Sequence, residues 1–140
     1  MSRRGLAIGI AALCALIAAF AFLQPDLDCP DPAYHSVSPD GGHSITVCSR
    51  SRAIAMPGSS GDAPGWIALR NARGQVSGVV SLDMIQTISA AEWSQTSVTM
   101  PLTAAFEFDN APPDWTGWIA DRAWKWRAFL GLVPTDDEFR

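Results

Sequence analysis

The stretch Met56 to Gly65 reads MPGSSGDAPG. Its glycines would let backbone N–H groups approach a ligand, and its serines and aspartate add polar contacts. Met56, Gly58, Ser59, Ser60, Asp62 and Gly65 are therefore candidate binding residues. The stretch is longer than the roughly 2–5 residues of an ordinary hairpin loop, which favours recognition over simple connection. Catalysis is the weaker reading. Gly58-Ser59-Ser60-Gly61 is not the G-x-S-x-G nucleophile elbow, and no lysine follows the glycines as in a phosphate-binding loop.

His35 and His43, with Asp31 and Asp40 nearby, could begin a metal site on one hairpin. Zinc needs three or four ligands of consistent geometry, and no third ligand is evident, so two surface histidines and no metal or cofactor are expected. Glu107 and Asp109 would share one face of a strand, but glycosidase chemistry needs two carboxyls across a cleft. The C-terminal segment sets Trp115, Trp118, Trp124 and Trp126 among Arg122, Lys125 and Arg127. Tryptophan with basic residues suits a membrane interface, which makes Trp118, Arg122, Trp124 and Lys125 candidates for membrane or partner contact. The favoured alternative is packing. At about 100° per residue, Trp115, Trp118, Ile119, Ala123, Trp126, Phe129 and Leu130 share one side, which would cover a sheet and leave Trp124 exposed.

The elements that would position these residues follow from the rest of the chain. Its 140 residues are 48% hydrophobic, enough for one folded domain plus attachments. A formal net charge of −4 carries no basic surplus, which argues against nucleic-acid binding. Gly5 to Leu23 has no charged or strongly polar side chain. As a helix it would reach about 28 Å, close to the hydrocarbon thickness of a bilayer. Arg3 and Arg4 precede it, so the expected topology is a single pass with a cytoplasmic N-terminus and a periplasmic domain at a bacterial inner membrane. The alternative is secretion after cleavage at Ala19-Phe20-Ala21, but the apolar run exceeds the usual signal core of roughly 7–15 residues. Cys29 and Cys48 lie beyond this segment. They suggest one structural disulfide in an oxidising compartment, of about 3 kcal/mol in the chain-entropy model.

The expected organisation is a transmembrane segment over 1–23, a linker over 24–33 that lifts the domain off the membrane, and a β domain over 34–109. A Trp-rich helix over 110–134 and a frayed polar tail over 135–140 complete it. The β domain reads as an antiparallel meander of about five or six strands, because no helices intervene to make parallel crossovers. Turns fall at Ser38-Pro39-Asp40-Gly41-Gly42 and at Asn71-Ala72-Arg73-Gly74. Met84 to Ile88 extends one strand or begins the next. Val98, Met100 and Leu102 alternate with Ser97, Thr99 and Pro101, and because Pro101 cannot donate to a ladder this strand is an edge or ends there. The fold class is mainly β with one C-terminal helix (α+β).

Ser38-Pro39-Asp40-Gly41, Met56-Pro57-Gly58, Gly61-Asp62-Ala63-Pro64-Gly65, Leu69, Gly74 and Glu92-Trp93 occur in an order that resembles a group of short, uncharacterised bacterial proteins. Those proteins carry an N-terminal membrane segment and a small exported β-rich domain, and have no known activity. The resemblance implies location and architecture. The expectation is a membrane-anchored envelope protein, held through residues 5–23, whose exported domain binds another envelope protein. The alternatives are an immunity or inhibitor protein facing a basic periplasmic enzyme, and an envelope hydrolase using Ser59 or Ser60.

Overall fold

Ile45, Val47, Ile67, Leu69, Val80 and Leu82 recur at alternate positions along three segments, and this period of two builds the main sheet. The computed structural model describes residues 3–50, 63–108 and 114–139, with the side chains of residues 3–5, 87 and 114 left aside. It is α+β, with antiparallel sheets and a C-terminal helix. Helix α1 covers Arg3–Phe22. Strands β1 (Tyr34–Val37), β2 (His43–Ser49), β3 (Gly65–Asn71) and β4 (Val76–Leu82) form a four-stranded sheet in sequence order. Strands β5 (Glu92–Trp93), β6 (Ser97–Met100) and β7 (Ala104–Glu107) form a separate three-stranded sheet. Helix α2 covers Asp114–Phe129.

Among the described residues the expected single meander is instead seven strands in two sheets, and the break falls where the chain leaves β4. Residues Ile85–Thr87 form one 3-10 turn rather than a strand. That turn lets β5–β7 fold back over the four-stranded sheet. Val98, Met100 and Ala104 meet Ile45, Val47, Ile67, Leu69, Val80 and Leu82 there, all of them buried. Each fully buried aliphatic side chain contributes roughly 2 kcal/mol. Two side chains pin the layers: Tyr34 Oη accepts from Ala91 N at 2.9 Å, and Trp93 Nε1 donates to Ser36 Oγ at 3.0 Å.

The opposite face of the four-stranded sheet carries Trp66, Val76 and Val79, packed with Leu27, Trp124, Ala128 and Val133. The molecule therefore has three layers, and β3 and β4 are buried on both faces. The segment after α1 is part of this packing and not a spacer. Leu27 is buried, its carbonyl accepts from Trp66 Nε1 at 3.3 Å, and Cys29 stands at disulfide distance from Cys48, with Cα atoms 5.9 Å apart. Hairpin β1–β2 brings these cysteines together, pairing Tyr34 with Val47.

Other local expectations meet specific outcomes. Gly74 has φ of +75°, as the left-handed position of its turn requires. Leu102 does not continue β6. After Pro101 the chain turns, Leu102 takes φ of +60°, and its side chain is exposed. The C-terminal tail is held rather than frayed. Ser81 N donates to Pro134 O at 2.8 Å, Asp136–Phe139 form a 3-10 turn, Asp136 is fully buried, and Phe139 packs on the core.

Helix α1 is exposed all round, with Leu6, Ile8, Ile10, Leu13, Leu16 and Ile17 each more than half accessible. Among the described residues no helix is long and apolar enough to cross a membrane.

Candidate functional site

Helix α2 lies on β4, and one carboxylate decides which of its sides faces the sheet. Asp121 is buried, and its Oδ1 accepts from Val76 N at 2.8 Å. Its Oδ2 is 3.1 Å from Lys125 Nζ and 3.9 Å from Arg122 Nη1. An unpartnered backbone N–H at that depth would be costly, so Asp121 must face inward. Gly117, Trp124 and Ala128 lie on the same helix side as Asp121 by the 3.6-residue period. Gly117 allows the close approach: a Cβ there would meet Gln75 Oε1 at 2.7 Å.

This orientation reverses the expected one. Trp124 faces the sheet, with Arg127 Cζ 4.9 Å from its ring centroid. Trp115, Trp118, Ile119, Phe129 and Leu130, expected to cover the sheet, are exposed instead. The helix ends in a Schellman arrangement: Leu132 N donates to Arg127 O at 2.7 Å, Gly131 N donates to Ala128 O at 3.2 Å, and Gly131 has φ of +70°.

Between the inward side of α2 and the turns of the four-stranded sheet lies a cleft of about 350 Å³. Gly117, Ala120 and Trp124 of α2 form one wall, and Ala72, Arg73 and Val76 of the β3–β4 hairpin form another. His43 and Phe108 close it, their rings stacked with centroids 4.1 Å apart and planes 8° from parallel. His43 is half-buried, and its Nδ1 is buried with no hydrogen-bond partner among the described residues. Such a ring nitrogen can accept or donate a hydrogen bond according to tautomer. Arg73 and Glu107 bring one charge of each sign to the lining. Ser77 Oγ donates to Leu69 O at 3.4 Å, so it is engaged with the backbone. A mostly apolar cavity with a few converging polar groups binds small groups or side chains.

The residues singled out in the sequence are dispersed. Met56, Gly58, Ser59, Ser60, Asp62 and Asp109 lie outside the described residues. Gly65 is buried in β3 between Ser49 and Leu82, and a Cβ there would meet Cys48 O at 2.3 Å. It serves backbone packing and cannot present itself to a ligand. His35 Nδ1 is 3.2 Å from Thr46 Oγ1 on the neighbouring strand. His43 is part of the cleft rather than a surface histidine, and Asp31 is exposed. Asp40 accepts from Ser38 Oγ at 2.5 Å and from Gly42 N at 3.0 Å. The Ser38 hydroxyl, then the Gly42 N–H, hold its carboxyl below the ordinary carboxylate range. Glu107 is exposed at the cleft. Trp118 and Arg122 meet on α2's outward side, with the guanidinium carbon 3.7 Å from the ring centroid.

Two groupings had no signal in the sequence. The cleft draws on four separate stretches of chain. Asp83, Asp136 and Asp137 also converge, with one carboxylate oxygen from each within 4.8 Å of the others. Their separation in sequence hid them, and the buried Asp136 accepts from Asp83 N at 3.4 Å. No family model, curated protein or solved structure matches this chain.

Proposed function

We propose that the chain is a membrane-tethered envelope protein whose exported domain binds a partner protein in the cleft under α2. The observation that carries this reading is the His43–Phe108 stack, with a buried and unpartnered ring nitrogen, in the wall of a mostly apolar cleft. A partner side chain with a flat apolar body and one hydrogen-bonding group matches that surface. Phe108 and Trp124 supply apolar contact, and His43 Nδ1 supplies direction.

The tether is α1. Counted on the described residues it falls short of a span. The uncharged run in the sequence, Gly5 to Leu23, extends beyond the helical residues whose side chains are described and as a helix would reach about 28 Å. Apolar side chains pointing in every direction from an isolated helix need an apolar surrounding. Arg3 and Arg4 would hold its start in the cytoplasm, which sends the cysteine pair to an oxidising compartment.

A photo-crosslinking residue at Ala72, in the cleft wall, tests the binding role in bacterial membranes. The full chain should capture one specific partner from Ala72 and not from the exposed Glu92. His43→Phe, which keeps the stack and removes Nδ1, should lower the yield several-fold. Equal capture from Ala72 and Glu92, unaffected by His43→Phe, would sink the cleft as the binding site.

A further inference from the structure

Among the described residues the outward side of α2 is left open, and it carries most of the bulky apolar residues of the helix. Trp115 is 67% accessible, Phe129 68% and Leu130 61%, with Trp118 and Ile119 also open. A monomeric domain rarely exposes so contiguous an apolar stripe without a use for it.

The stripe is joined to the end of α1. Arg122 Nε donates to Ala21 O at 3.2 Å, and Lys125 Nζ to Gln24 Oε1 at 3.4 Å. Phe22, Leu23, Gln24 and Pro25 then line one groove with Trp126 and Phe129. Phe22 and Leu23 are themselves exposed, so the apolar surface runs without a break from α1 onto α2. The Trp126 indole N–H in this groove is buried and has no acceptor among the described residues.

We propose that α2 lies along the bilayer surface at the foot of α1, with Trp115, Trp118, Ile119, Trp126, Phe129 and Leu130 in the interfacial layer. The proposal rests on reading α1 as the membrane tether. The occupant is a lipid surface for two reasons. The stripe is continuous with a helix end that would emerge from the bilayer. It also carries Trp115 and Trp118, whose apolar bodies and polar N–H suit the headgroup level. The domain is then held down on the membrane by two elements, and the cleft on α2's inward side stays open above it.

The test uses the full chain reconstituted in phosphatidylcholine–phosphatidylglycerol vesicles brominated near the headgroup end of the acyl chains. Flotation after alkaline carbonate reads the tether, and tryptophan quenching reads α2. Three of the six tryptophans belong to the stripe, so emission should fall by roughly half on reconstitution. The W115F/W118F/W126F variant should float equally well and lose most of that quenching. A chain that floats after carbonate but shows no bromine quenching would overturn the interfacial helix and leave the tether standing. Quenching that persists in the variant would also overturn it, because the signal would then come from Trp66, Trp93 or Trp124. Failure to float would overturn the tether and this proposal together. If the stripe becomes shielded from aqueous quenchers as protein concentration rises, with no bromine quenching, its occupant is a second copy and the proposal falls.

Discussion

The two sides of α2 differ in a way opposite to ordinary helix packing. The inward side is small and polar, carrying Gly117, Asp121 and Ala128 around Trp124. The outward side carries the larger apolar residues Trp115, Trp118, Ile119, Phe129 and Leu130, all accessible. An amphipathic helix on a soluble domain normally buries its apolar stripe against the core. Here a buried hydrogen bond from Val76 N to Asp121 sets the orientation, and the stripe stays exposed. The difference teaches that hydrophobicity alone does not decide which side of a helix meets its own domain. One backbone donor that must be satisfied can outweigh several exposed rings.

The strongest way to break this comparison is Asp121→Ala. The change leaves Val76 N–H buried without an acceptor and removes the partner of Lys125. Urea unfolding should show a loss of about 3 kcal/mol. A loss under about 0.5 kcal/mol would mean that the carboxylate does not orient the helix.

A paired substitution sharpens the comparison with a smaller effect. Trp124→Ala removes packing against Val76, Val79 and Leu27 and should cost about 2 kcal/mol, below the range for a fully buried tryptophan because Trp124 is half-buried. Trp115→Ala, on the exposed side, should stay within about 0.5 kcal/mol. Equal costs in unfolding experiments on the two variants would erase the distinction between the sides.

The smallest effect belongs to the Asp40 turn, which touches neither side of α2 and serves as the reference. Its carboxyl titrates below the ordinary value of about 3.9 because Ser38 Oγ and Gly42 N–H favour the charged form. A depressed pKa contributes stability that is present above the unfolded value and is lost as pH falls through the folded one. Carboxyl chemical shifts should therefore report an Asp40 midpoint below those of exposed aspartates, and Ser38→Ala should move it upward. The Val76 amide shift should not follow that titration. If it does, the turn and the helix contact are coupled.

Much of the fold was legible because it obeys local rules. Prolines, glycines and Asx residues marked the hairpin turns at 38–42 and 71–74. Gly131, in the left-handed conformation, ends α2 through the chemistry of helix C-termini. The break into two sheets was not legible, since Ile85–Thr87 has the composition of a strand yet forms a 3-10 turn. The cleft was hidden for a related reason. His43 reads as an exposed turn residue until Phe108, from the far end of the β domain, stacks on it.

The sequence by itself determined the apolar N-terminal helix, the antiparallel strands, the extent of α2 and the cysteines available for one bridge. Each depends on neighbours a few residues away, through side-chain period, turn chemistry and end capping. Only the tertiary structure decided that Leu27 packs into the core, that the C-terminal turn buries Asp136, and that α2 shows Trp115 and Trp118 to the outside. Those outcomes hang on contacts between distant residues, such as the bond from Val76 to Asp121 across 45 positions, and a buried donor seeking an acceptor leaves no trace in the periodicity of the segment that supplies it.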